Sequence, residues 1–329
     1  MKKIILTIFA AVSLLGCNQE TITEVPDSPG AISFSNVSTR AGLSDLQTNG
    51  FGVWGLMYNE AQQDGYWVFE NTHISLGSDG WKYADTDEDL RYWVNNSFYF
   101  FAAVYPQENV TTATRDNQKV VVIDIATPVD TTPEDILIAA PYVDTSREYD
   151  ETVGLTFKHL HSRVNIKVKK DEGTNMYDYF IIDKITLKSV KSKASVVLLS
   201  SVDPVWEYDT SVTNTYSRDF EGDTPIGLAG EVLLSDEGLV LLPQDPSAVK
   251  LEISFRFAYG DGTTNIPDLS LFKSETYSVN LPTSIVPVWE SGKSYTYTAL
   301  LSMNNDIKFL APSIEYWGGA QSGGTVIIK

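Results

Sequence analysis

The chain has 329 residues, with 24 Lys and Arg set against 43 Asp and Glu and a single cysteine. A net charge of −19 disfavours anionic partners such as nucleic acid and anionic lipid headgroups. One cysteine permits no internal disulfide, so the fold must rest on its core. The length exceeds one typical domain, and two is the default. With 12% aromatics, 17 Tyr and 20% charged residues, the composition is that of β-structure.

Lys2 and Lys3 precede an apolar stretch, Ile4 to Val12, that is too short to span a bilayer. It ends in Leu14-Leu15-Gly16-Cys17, the bacterial lipoprotein pattern. There the cysteine thiol takes a diacylglycerol before the leader is removed. Residues 1–16 are therefore expected to be a lipoprotein signal peptide and Cys17 the lipidated residue. Residues 17–30, polar and broken by Pro26 and Pro29, read as a flexible tether.

From Ile32 the apolar period is two. Ile32 and Phe34 alternate with serines before Arg40-Ala41-Gly42. Strand-like runs follow at Phe51–Tyr58, Tyr66–Glu70, His73–Leu76, Trp81–Tyr83 and Ser97–Tyr105, then at Val120–Ala126 and Ile136–Ala140. Gly77-Ser78-Asp79-Gly80 is suited to a hairpin turn. Asp85 to Trp93 offers one short helical stretch. Further on, Val249, Leu251, Ile253, Phe255 and Phe257 alternate with Lys250, Glu252, Ser254 and Arg256, a strand with one buried and one wet face.

Between Val153 and Val168 the apolar positions change phase. Val153, Leu155 and Phe157 are odd, whereas Leu160, Val164, Ile166 and Val168 are even. Either a bulge or a strand passing from one sheet to another gives such a shift. This places a domain boundary near Glu151, with an N-terminal β-sandwich over 31–150 and a C-terminal one over 151–329. The expected fold class is all-β, with two antiparallel β-sandwich domains, because parallel sheets would call for helices the sequence lacks.

His159 and His161 share a strand face, but no third metal ligand is evident, and His159 continues an apolar face. Asp85-Thr86-Asp87-Glu88-Asp89 opens like a calcium loop, yet Leu90 and Asn96 stand where an EF-hand needs Gly and Glu. Neither motif predicts a metal, and no cofactor is expected. No nucleophile elbow, phosphate loop or dinucleotide fingerprint occurs, so the chain does not read as an enzyme. Trp54, Trp67, Trp81 and Trp93 crowd the first half; such residues fill cores or stack on sugars, and the core is favoured.

Several stretches, in order, resemble the fimbrillin family, the type V pilins of Gram-negative bacteria. They are Leu14 to Cys17, ISFSNVSTRAG from Ile32, FYFFAAVYP from Phe98 and DILIAA from Asp135. LTFKHLHSRVNIKV from Leu155, LVLLPQ from Leu239, WESGKSYTYTALL from Trp289 and IEYW from Ile314 complete the series. The resemblance implies transthyretin-like sandwiches and a lipidated precursor at the outer membrane. It further implies cleavage between Arg40 and Ala41 by an arginine-specific protease. The implied role is a structural and adhesive subunit of an extracellular fimbrium, joined to other subunits by donor-strand exchange, with a host or microbial surface ligand. The tail Gly318 to Lys329 is short for a donor strand, which leans toward a tip subunit; a donor that includes Ile307 to Trp317 is the other reading. The alternative function is a monomeric, lipid-anchored surface glycan-binding protein.

Overall fold

The computed structural model describes residues 30–317 except 40–42, 84–89, 109, 116, 130–134, 146–151, 200–202, 228–229, 263–264 and 303–306. In chain order, β1 is Phe34–Thr39, α1 Leu43–Asn49, β2 Phe51–Asn59, β3 Gln62–Gly77 and β4 Gly80–Lys82. Next come β5 Phe98–Tyr105, β6 Val110–Arg115, β7 Gln118–Ala126, β8 Leu137–Ala139 and β9 Tyr142–Asp144. The middle of the chain gives β10 Val153–His159, β11 Ser162–Lys170, β12 Tyr179–Lys191, β13 Lys193–Leu198 and β14 Val205–Tyr208. Then follow β15 Thr213–Asp219, β16 Glu231–Leu233, β17 Leu239–Leu241, β18 Lys250–Ala258 and β19 Lys273–Asn280. The last are β20 Lys293–Leu301, β21 Ile307–Phe309 and β22 Ser313–Tyr316.

These strands build two sandwiches. In the first, a sheet ordered β1-β10-β8-β5-β2-β3-β4, with β9 beside β5, packs against a sheet ordered β14-β13-β7-β6. In the second, β16-β11-β20-β21, with β17 and β22 at its margins, packs against β15-β12-β18-β19. Alternation decides which side chains enter the cores: β18 buries Leu251, Ile253 and Phe255 and turns Glu252 and Ser254 outward. Asp245 caps the short 3₁₀ turn before β18 by accepting the Ser247 N–H at 2.8 Å.

β2 follows a different logic. Its run Phe51 to Met57 is buried throughout, because the first sheet is covered on both faces. Trp54 and Leu56 face the β13 and β7 sheet, whereas Phe51, Val53 and Met57 face a second core with Phe34, Phe69, Trp93 and Phe101. Leu46 of α1 enters that second core. The helix stops at Gly50, whose N–H returns to the Leu46 carbonyl at 2.9 Å with φ +71°. A Cβ there would lie 2.3 Å from the Ile74 carbonyl oxygen, so the close approach requires glycine.

The all-β architecture of mainly antiparallel sheets stands, with three departures in detail. The expected helical stretch is absent over Leu90 to Trp93, where Tyr92 is bridged to Ala31, and its remainder, residues 85–89, lies outside the described residues. Burial of Trp93 against Tyr99, with ring centroids 4.8 Å apart, outweighs local helical preference there. The pairings are not all antiparallel either, since β1 pairs β10 and β11 pairs β20 in parallel. No crossover helix is needed, because the connecting chain runs through neighbouring strands and the facing sheet. The pairing also crosses Glu151. β10 completes the first sheet, while β13 returns from the second half to pair β7 and brings β14 with it on its other edge.

The phase change after Phe157 marks a strand switching sheets. β10 belongs to the first sandwich and β11 to the second, with Leu160 and His161 between them. At the return crossing, Gln244 holds Lys191 at both backbone groups, at 2.9 and 3.0 Å.

Candidate functional site

Segment 30–39 is the edge of the first sheet. β1 pairs β10 in parallel, with Phe34 opposite Val153 and Thr39 opposite Phe157, and has no other strand partner among the described residues. Its sequence, FSNVST, is mostly small and polar. Ile32 (1% exposed) and Phe34 (4%) are the anchors, and Val37 packs beside them. The Phe34 ring meets Phe69, Phe101 and Tyr83 edge-on at 5.5, 5.9 and 6.1 Å.

Opposite β10, the residues around Tyr83 and Leu90–Trp93 line the same segment. The Ile32 N–H donates to the Arg91 carbonyl at 2.7 Å, and the Trp93 N–H donates to the Gly30 carbonyl at 3.2 Å. The Tyr83 hydroxyl donates to the Ile32 carbonyl at 2.9 Å and accepts the Arg91 N–H at 3.0 Å. Burial raises the pKa of this hydroxyl above its ordinary value, so it stays a donor. Removing segment 30–39 would open a trough lined by Phe69, Phe101 and Tyr83 and leave one edge of β10 without its ladder.

The residues singled out in the sequence are placed as follows. Cys17, Arg40, Ala41 and Gly318 to Lys329 lie outside the described residues, as does the acidic run 85–89. Thr39 ends β1 and Leu43 begins α1, on either side of the expected cleavage position. Ile307–Phe309 and Ser313–Tyr316 both pair with β20, inside the second sandwich. Trp54 and Trp93 are 1% exposed and Trp81 packs on Phe51, so these aromatics serve the core.

His159 and His161 are both buried. His159 Nδ1 is 2.6 Å from Asp135 Oδ2, and its ring stacks on Trp317 at 4.1 Å. Burial drives the His161 pKa down from 6.5 to about 4, opposed by Asp135 and reinforced by His159. Among the described residues no group of three or more His, Cys, Asp or Glu is arranged to hold a metal ion. The same residues contain no helix long and apolar enough to cross a membrane.

Fold and site together define an all-β protein of two sandwiches whose first strand lies at the edge of its sheet. A family model described as fimbrillin-like matches residues 39–317. The chain belongs to the fimbrillin-like family. A solved fimbrial protein from Bacteroides vulgatus shares the fold at TM-score 0.60 and 18% identity, covering 87% of this chain and 99% of that one. A candidate cell-adhesion protein from Bacteroides uniformis gives TM-score 0.45 and 15% identity, over 88% and 96% of the two chains. One from Bacteroides ovatus gives 0.44 and 16%, over 88% and 98%. No match is found among the curated proteins.

Proposed function

We propose that this chain is a subunit of a bacterial surface fimbrium, structural and adhesive rather than catalytic. It is exported as a lipoprotein acylated at Cys17, carried to the outer membrane, and cut between Arg40 and Ala41. The cut lets segment 30–39 leave, and a strand of another subunit takes its place on β10. The observation that carries this reading is the position of β1: an edge strand over an apolar core, ending just before Arg40. An incoming strand regains the ladder hydrogen bonds and the pockets of Ile32 and Phe34, as strand addition requires.

What this chain donates in turn is constrained by β21 and β22. Both belong to the second sandwich, where Ile307, Phe309 and Ile314 pack on its core. Giving up 307–317 would dismantle that sheet, which supports a receiving, tip-like subunit. The two-chain lipid on Cys17 holds the precursor stably, whereas one acyl chain binds only marginally.

Mass and N-terminal sequence of the protein extracted from its native surface test the reading. A diacylglycerol on Cys17 in the precursor and Ala41 at the start of assembled material are expected. Assembled material still beginning at a blocked Cys17 overturns the cleavage step. A cut protein that stays monomeric and joins no fibre overturns the role.

A further inference from the structure

The first segment is gripped at two ends by different partners. Near Thr39 it is held by β10, whose ladder an incoming strand would remake. Near Gly30 it is held by Tyr83 and by Arg91 to Trp93 as well. Ala31 bridges Tyr92, the Ile32 N–H binds the Arg91 carbonyl, and the Trp93 N–H binds the Gly30 carbonyl. Tyr83 joins both parts through one atom. Its hydroxyl binds the Ile32 carbonyl and the Arg91 N–H, while its ring packs on Phe34 and on Phe69, the latter at 5.0 Å.

A cut after Arg40 frees the end of the segment farthest from this grip. Peeling starts at Thr39 and reaches Ile32 last. The β10 bonds lost in peeling are returned by the replacing strand, so they oppose exchange little. The bonds to Tyr83 and Arg91 must break before any strand reaches that end of the trough.

We infer that Tyr83 is a latch that retains the first strand after cleavage, so that groove opening waits on release of Ile32 rather than following the cut at once. The inference rests on the strand-exchange reading above and adds what sets its timing. One consequence is topological. The retained strand is continuous with the tether and Cys17, so a cut subunit stays on the membrane through it until the latch opens.

The test uses the full chain with a specific protease site placed directly after Arg40, which makes the cut independent of the native protease. After complete cutting, loss of the N-terminal fragment is followed by size exclusion and mass spectrometry. Tyr83→Phe keeps the ring and removes the hydroxyl. It should release the fragment about three- to tenfold faster than the unaltered chain, the effect of one hydrogen bond of ordinary strength. Tyr216→Phe is the control, because it removes a hydroxyl bound to the Thr127 carbonyl in another part of the molecule. Once stripped of the fragment, Tyr83→Phe and unaltered protein should bind an added peptide of residues 33–39, which lacks Ile32, equally well. Fast release at equal rates, or equal acceleration by Tyr216→Phe, overturns the latch and leaves strand exchange standing. Retention of the fragment by every variant overturns both.

Discussion

The Trp317 ring lies flat on His159, with centroids 4.1 Å apart and planes 3° from parallel. Trp317 follows β22 in the second sandwich, and His159 ends β10 in the first, so the stack ties the two together. The Arg163 guanidinium sits 5.8 Å from the same ring, and the Trp317 N–H binds the Gly292 carbonyl at 2.9 Å. Trp317→Ala should cost about 1–3 kcal/mol through lost apolar contact and stacking. Trp317→Phe should recover part of it. Urea unfolding of the three proteins checks the order.

His161 gives the molecule an acid-sensitive joint. Above pH 6.5 the residue is neutral folded and unfolded, and stability is complete. As the pH falls below 6.5 the unfolded chain gains a proton that the folded one refuses until about 4. Stability is therefore lost across that window, by about 3 kcal/mol at its lower end, and this group takes no more below it. The slope of unfolding free energy between pH 7 and 4.5 should be steeper in the unaltered protein than in His161→Leu. Equal slopes would remove the assignment.

Lys170 is 2% exposed, and its ammonium donates to the carbonyls of Asn175, Met176 and Asp178. One cation thus folds the 171–178 loop against β11. Lys170→Met keeps the volume but leaves three carbonyls without their donor, that of Asp178 in a buried bond, for a loss of about 1–3 kcal/mol. Chemical denaturation measures it, and proteolysis within the loop should rise in parallel.

Much of the architecture was legible from periodicity, and the failures are local in origin. β18 declares itself because one face is wet. The sheet switch after Phe157 declares itself because the apolar phase slips by one position between Phe157 and Leu160. What the alternation in Lys193–Leu198 could not reveal is its partner: a strand pattern states which face is buried, not which sheet does the burying. The parallel pairings were missed for the same reason. Asp135 lies 24 residues before His159, and nothing local joins them. By its pattern Tyr83 ends a short strand; its hydroxyl's partner, Ile32, is 51 positions away. A lone aromatic with a polar tip at a strand end was the only signal available.

Phe34 should decide how tightly the first strand is held. It is 4% exposed, and its ring lies within 6.1 Å of three other aromatic rings. Truncation to Ala removes those contacts and leaves a cavity, a loss of about 3–5 kcal/mol at a site that collapses poorly. In the uncut chain this appears as reduced stability. In the cut chain it appears as affinity, because the strand is then a ligand. A synthetic peptide of residues 30–39 should bind the stripped protein, and the Phe34→Ala peptide should bind more than about a hundredfold more weakly. Ile32→Ala should approach that effect, since Ile32 is equally enclosed at 1% exposure. Isothermal titration of the three peptides gives the ranking. Equal affinities would mean that the trough does not recognise its own strand through these side chains, and strand exchange would lose its physical basis here.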